Sequence, residues 1–424
     1  MMTDKRNQTI GKLDGLTIFL YLALVTLGWL SIYAAVFDEA HPHIWDTSQV
    51  YGKQLIWIAA AIFVGFIILL IDAKFFNAFA FWIYFIVILS LLAVLAYGKA
   101  TKGATSWIDL GGGIKFQPSE FAKFATALAL ASFLGRLDSK MEDLKTQLKA
   151  YSIILFPALL VLLQNDTGSA MVFASFILVL YREGMSGRIM VLGVIAIALF
   201  VLTLWLSSTT MYIALATMML ITIGWALWKR KQHKIKNIVA IFILLYGIVF
   251  SVEYVFNNIL QEHQRTRIEV LLGKKKDLRG VGYNVHQSKI AIGSGGLTGK
   301  GFLNGTQTKY NFVPEQHTDF IFCTVGEEGG FVGTLLLITL YMALFIRLVV
   351  LAERQRSTFS RIYGYSIAGI LFFHFTINIG MTIGLVPVIG IPLPFLSYGG
   401  SSLLAFSIML AVFLKQDANR LNIL

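Results

Sequence analysis

Twelve apolar stretches separated by short charged turns leave this chain few ways to fold. They run at about Leu16–Val36, Leu55–Ile71, Phe79–Tyr97, Phe121–Leu134, Ile153–Leu163, Ser169–Tyr181, Ile189–Leu206, Met211–Trp228, Ile238–Phe256, Phe331–Val350, Ile362–Leu385 and Ser402–Leu414. A helix needs roughly 20 apolar residues to cross a bilayer core, so the shorter runs must recruit their flanks. Barrel strands are excluded by the same lengths. Only 14% of residues are charged, against roughly 25% in a soluble domain. The expected fold is all-α: a polytopic integral membrane protein with about twelve transmembrane helices. Asp4, Lys5 and Arg6 precede the first run without a small-residue cleavage site, so that run is expected to be a retained helix.

The charges set a topology. A formal net charge of +12 invites a nucleic-acid partner. Most basic clusters lie between apolar runs, where positive-inside topology puts them, so no nucleic acid is expected. An N-terminus inside places Arg136–Lys149, Arg182–Arg188, Lys229–Lys236 and Arg354–Arg361 in the cytoplasm. The other side receives Phe37–Lys53, Gly98–Glu120, the turn Asn165–Thr167 and the long segment Asn257–Glu328. That segment is also basic, but loops longer than about 60 residues escape the rule. Its charge suits an anionic substrate or anionic headgroups; a solvated surface serves equally for Lys274–Lys276. With no soluble domain, low-complexity tract or internal repeat, residues 1–424 read as one transmembrane domain with an outer loop at 257–328.

That outer segment holds the densest chemistry. Glu315, His317 and Asp319 lie within five positions, directly before an apolar run, with Lys289, Lys300 and Lys309 upstream. Carboxylates beside a bilayer are costly and usually functional. On a helix Glu315 and Asp319 would share a face. Alternatively one or both cap the helix beginning near Phe320. Glu327 and Glu328 read first as structural. The run Ile292–Gly301 resembles a phosphate loop but has Ser294 where the first glycine is needed and Gly301 where Ser or Thr should follow Lys300. Its glycines are expected to permit tight turns, with a backbone cradle for pyrophosphate as the weaker alternative. The single cysteine, Cys323, excludes an intramolecular disulfide and is expected to be packed.

Three further stretches matter. Trp107-Ile-Asp-Leu precedes Phe116-Gln-Pro-Ser-Glu-Phe-Ala-Lys123, where Pro118 marks a helix start. Glu120 and Lys123 are spaced to pair on one face, or Lys123 meets a phosphate; the two readings are even. Asp166, in Gln164-Asn-Asp-Thr-Gly168, suits an Asx turn. Asn378 and the Pro- and Gly-broken stretch Pro387–Ser402 suggest irregular backbone walling a polar cleft.

Together these stretches resemble the SEDS family (shape, elongation, division and sporulation), the RodA/FtsW peptidoglycan glycosyltransferases. Gly305-Thr-Gln with Phe312–Phe322 is similar to the RodA branch rather than FtsW, and Phe116–Glu120 and Pro392–Ser401 match other signatures of the family. The resemblance implies a catalyst that polymerises lipid II, an undecaprenyl-pyrophosphate-linked disaccharide-peptide, on the outer face of the bacterial cytoplasmic membrane. It implies that this serves cell-wall elongation and cell shape. It implies Asp319 as the catalytic residue, Trp107, Glu120 and Lys123 as cleft residues, and a class B penicillin-binding protein as transpeptidase partner. Lys289, Lys300, Glu315 and His317 complete the expected substrate-binding set. No metal site is expected; a divalent cation, magnesium or manganese, at the pyrophosphate is compatible, though no ligand cluster marks one. Two departures stand out. The family usually has ten helices, so a hairpin around Ile189–Phe256 is extra, and its Gln-Pro-Asp-Leu-Gly is Gln164-Asn-Asp-Thr-Gly168 here.

Glycan polymerisation needs a base for the attacking hydroxyl and positive groups for the leaving pyrophosphate. A lipid II flippase and a non-catalytic scaffold of the elongation machinery are the rivals. A flippase should carry its critical charges near mid-membrane; here they lie mostly at the outer edge.

Overall fold

The computed structural model describes residues 12–41, 43–101, 104–109, 111, 115–136, 139, 141–230, 234–275, 280–310 and 312–421. Its backbone packs as two compact units, Met1–Met185 with Asn284–Leu424, and Ser186–Tyr283.

In the first unit the apolar runs become α1 (Gly15–Val36), α2 (Val50–Leu70), the short α3 (Ala73–Ala78), α4 (Ala80–Tyr97), α5 (Pro118–Leu134) and α6 (Leu144–Leu163). Then come α7 (Thr167–Val172) and α8 (Phe176–Arg182), joined by a 3-10 turn at Phe173–Ser175. The second unit holds α9 (Gly187–Trp205), α10 (Ser208–Trp228), α11 (Ile235–Tyr254) with a π turn at Val255–Ile259, and α12 (Glu262–Leu271). The chain returns to the first unit along α13 (Val281–Ser294), then α14 (Thr306–Lys309), α15 (Ile321–Glu353), α16 (Thr358–Thr382) and α17 (Gly400–Ala418).

Every apolar run is thus helical. Ten described helices are long and apolar enough to cross a membrane. The other two runs give α5, of 17 residues, and the broken pair α7–α8. The chain is a multi-pass membrane protein. One element departs from an all-α expectation: an antiparallel meander of β1 (Lys99–Thr101), β2 (Ala104–Asp109) and β3 (Lys115–Phe116). The cause is local. Thr105, Trp107 and Ile108 favour strands.

Around the core helices the burial is uneven. The most apolar window of α17 is 89% buried, whereas those of α2, α9, α10 and α11 are each 17% buried. α5 is too short to span alone at about 1.5 Å per residue, yet nearly all of it is buried. Protein, rather than lipid, surrounds it. The second unit keeps a small cluster of its own, with Leu199, Met211, Leu215, Phe242 and Val249 buried and Tyr212 stacked on Tyr246.

The two ends of the first unit differ in composition. At one end Asp14 accepts from Arg347, Asp417 from Arg354 and Gln355, and Glu183 from Arg361. The opposite end joins Ala35, Thr105, Gln164, the 295–320 segment and the irregular stretch 383–399. At the first of these ends Arg182 also donates to Glu353, so Arg182 and Glu183 both reach across to partners at 353 and 361. α15 bends at Gly330, whose φ is +61°.

The bend is where the glycine-rich run docks. The amides of Lys300 and Gly301 donate to the carbonyls of Glu327 and Glu328, and those of Phe331 and Val332 to Gly296 and Leu297. Gly299, at φ +78°, and Gly330 lie so close that a Cβ on either would strike the other strand's backbone. Only glycine allows this approach and these dihedrals. The Lys300 and Gly301 amides are spent on backbone carbonyls, so they form no pyrophosphate cradle.

Candidate active site

Between Val313 and Phe320 the chain turns continuously instead of forming a helix. Glu315 sits in the left-handed region at φ +57°. Its carbonyl accepts from the amides of Thr318 (3.1 Å) and Phe320 (3.2 Å), closing a tight turn. Its carboxylate Oε2 accepts from Thr318 Oγ1 at 2.9 Å. The helical geometry that would have stacked Glu315 on Asp319 is therefore replaced by a loop. α15 starts at Ile321 with Phe320 as N-cap, so neither carboxylate occupies the cap position.

The rest of the unit grips this turn by its backbone. Asn378 Nδ2 on α16 donates to the carbonyl of Asp319 (2.9 Å) and to that of Ile391 (2.7 Å). Ser397 Oγ donates to the carbonyl of Thr318 (2.6 Å), and the Tyr398 amide to that of His317 (2.8 Å). Gln316 Nε2 reaches the Ala35 carbonyl at the end of α1 (2.6 Å). The His317 ring packs beside Tyr398 at 5.8 Å. Burial pushes the Tyr398 phenol above its ordinary pKa, so it faces His317 as a neutral group. The Asp319 carboxylate lies against Gly390: a Cβ there would stand 3.4 Å from Oδ2. The proline-broken stretch thus holds the turn, and it does so with buried irregular backbone, tolerated at membrane depth where protein surrounds it.

One helical turn from Asn378 along α16 lies a second polar cluster. Lys123 Nζ donates to Glu120 Oε1 (2.8 Å) and to His374 Nε2 (2.9 Å), and it lies 5.3 Å from the centre of the Phe406 ring. Lys123 is 0% exposed and Glu120 1%. Pairing, rather than an open cation awaiting phosphate, is the arrangement present. A buried lysine without such partners would be far too costly to keep charged.

The other expected residues fall in different settings. Trp107 is half-buried in β2, and no described hydrogen bond or ring contact ties it to the Asp319 turn. Lys300 donates to buried Glu327 at 2.6 Å and to Thr306 at 2.7 Å. Glu327 also accepts from the Gln307 and Thr308 amides, so it caps α14 rather than the helix it belongs to. Lys289 is exposed on α13, its side chain over Gly384 at the start of the 383–399 stretch. Asp166 accepts from the Ser169 amide and caps α7, while Gln117 and Ser119 also donate to it. Cys323 is buried. Among the described residues no group of three or more His, Cys, Asp or Glu is placed to hold a metal. His374 escaped the sequence reading. Its signal was present: an ionisable residue inside an apolar run marks a site by default.

A family model for cell cycle proteins of the FtsW, RodA and SpoVE type matches residues 15–222 and 194–421. The chain belongs to the FtsW/RodA/SpoVE family. Within it, this FtsW/RodA/SpoVE protein is 35% identical over 408 residues to the peptidoglycan glycosyltransferase MrdB of Escherichia coli (strain K12), covering 95% of this chain and 94% of that one. It is 31% identical over 442 residues to the peptidoglycan glycosyltransferase RodA of Treponema pallidum (strain Nichols), covering 98% and 100%. Its fold superposes on a chain solved in a study of polymerization and crosslinking by a peptidoglycan synthase complex. There the TM-score is 0.68 and the identity 25%, over 97% of this chain and 99% of that one.

Proposed function

We propose that this protein is a peptidoglycan glycosyltransferase that polymerises lipid II on the outer face of the bacterial cytoplasmic membrane, with Asp319 as general base. One observation carries the assignment. The carbonyls of residues 317–319 accept from Tyr398, Ser397 and Asn378, the Gln316 side chain anchors the turn to α1, and the Asp319 carboxylate lies beside Gly390. A carboxylate on a turn whose backbone is held at three successive carbonyls is what a positioned base requires.

The chemistry follows from that placement. Asp319 takes the proton of an acceptor sugar hydroxyl. The oxygen attacks the anomeric carbon of the donor, and the bond to pyrophosphate breaks, the lipid pyrophosphate leaving as an anion. A cation must meet that charge. Lys289 is the best placed of the expected lysines. It is exposed and borders the 383–399 stretch that also borders Asp319, whereas Lys300 and Lys123 already hold carboxylates. His317 and Glu315 flank the base on its own turn and are assigned to substrate contact. The partner is a class B penicillin-binding protein, since polymerised strands need a crosslinking activity.

Purified protein supplied with lipid II and its partner should yield glycan chains. Passage of labelled lipid II across proteoliposome membranes with no polymer formed would mark a transporter instead.

A further inference from the structure

His374 is 1% exposed in the middle of α16. Its two ring nitrogens have different neighbours. Nε2 is 2.9 Å from Lys123 Nζ, and Nδ1 is 3.1 Å from the carbonyl oxygen of Pro392. An ammonium can only donate and a carbonyl can only accept. Both contacts are satisfied by one form of the ring, neutral, with its proton on Nδ1. Phe406 lies against the ring at 4.9 Å and 82°, and the same phenyl ring faces the Lys123 ammonium. The ammonium therefore has a carboxylate, an imidazole and an aromatic face around it, and no exposure to solvent.

Four residues on, at about 6 Å of helical rise, Asn378 repeats the pattern. It donates to the Ile391 carbonyl on one side and the Asp319 carbonyl on the other. Two side chains of one helix thus hold the consecutive carbonyls 391 and 392. One links them to Asp319 and the other to the Glu120–Lys123 pair.

Building on the assignment of lipid II polymerisation, we infer that His374 is a positioning residue for glycosyl transfer. It fixes the Lys123 ammonium and the Ile391–Pro392 backbone in one register, and through Asn378 that register sets the Asp319 turn. It touches no substrate. Its loss leaves a buried ammonium short of a partner and the Pro392 carbonyl short of a donor. A shift of about 1 Å at a reacting group can cost roughly 10²-fold in rate.

The test uses the full chain with its partner, lipid II polymerisation, and hydrogen–deuterium exchange over residues 315–320. His374→Leu should lower kcat roughly 10²-fold with KM within about threefold, and should speed exchange in that turn. His374→Gln, which offers both an acceptor and a donor, should recover most of both. Adding His374→Leu to Lys123→Met should cost little beyond Lys123→Met alone, because one acts through the other. Equal losses for Leu and Gln, or single-variant losses that multiply in the double variant, would overturn the inference. So would unchanged exchange in the turn. Should His374→Leu not fold, Gln against the shorter Asn supplies the same contrast: Asn behaving like Gln would contradict the two-sided hold. Wild-type protein that makes no glycan would sink the assigned activity instead, and the exchange comparison would still decide the bracing role.

Discussion

The two ends of the first unit treat their carboxylates in opposite ways. At one end every described aspartate and glutamate of the cross-helix network meets an arginine. Asp417 is 0% exposed and accepts from Arg354 and Gln355, with Arg420 at 3.5 Å. Asp14 caps α1 through Thr17 and takes both nitrogens of the Arg347 fork. At the other end the Asp319 turn is held through its backbone carbonyls by an asparagine, a serine and an amide, and its own Gln316 side chain reaches the Ala35 carbonyl. The first arrangement neutralises carboxylates and ties helices together. The second fixes a main chain so that a side chain can be aimed.

The arginine network is most sensitive at Asp417. Asp417→Ala strands a partly buried arginine and a glutamine, and should cost about 3 kcal/mol of stability, read as a lower thermal midpoint in detergent. The polymerisation rate of the folded fraction should stay within about twofold. Loss of rate without loss of stability would mean that this end takes part in the chemistry.

A smaller effect is expected from acid at Asp14. Burial alone would raise its pKa, but the hydrogen bonds from Arg347 and Thr17 outweigh that and hold the carboxyl well below the usual range. A lowered folded-state pKa means the stabilisation is present above the unfolded value, about 3.9, and is lost as pH falls towards the folded one. The thermal midpoint should therefore be level from pH 7 to about 5 and decline below about 4. Asp14→Asn should remove part of that decline; an unchanged acid limb would show that the Arg347 pair contributes nothing.

The smallest expected change sharpens the picture of the other end. Lys289→Met removes an exposed cation and should raise KM for lipid II roughly tenfold, the size of one charge-assisted bond, about 1.5 kcal/mol. Stability should not move. An unchanged KM would pass the pyrophosphate role to another cation.

Much of this was legible in the sequence because lipid imposes length. Runs such as Leu16–Val36 and Phe331–Val350 have no other stable form in a bilayer. The motifs around Asp319, Glu120 and Pro392 also stood out, since charges and prolines in an apolar chain are conspicuous. The turn itself was not legible. Spacing suggested a helical face for Glu315 and Asp319, but Glu315 at φ +57° reverses the chain, under the control of contacts from Ala35, Asn378 and Ser397 far away in sequence. Nor could spacing decide whether Lys123 was paired or open. Its second partner, His374, lies 251 positions along the chain. The glycines near Gly299 suggested turns, and the backbone docking on the bend at Gly330 appears only in three dimensions.

The central claim is that Asp319 is a base aimed by a rigid turn. Asp319→Asn tests it most directly, because the amide keeps the shape and every backbone contact while losing the proton acceptor. Purified variant and wild type, each with partner and lipid II, should show the same thermal midpoint and the same exchange protection in residues 315–320. The variant's polymerisation rate should be lower by about 10²–10⁴-fold. A well-folded Asp319→Asn protein that makes glycan at a near-normal rate would contradict the account and turn attention to Glu315.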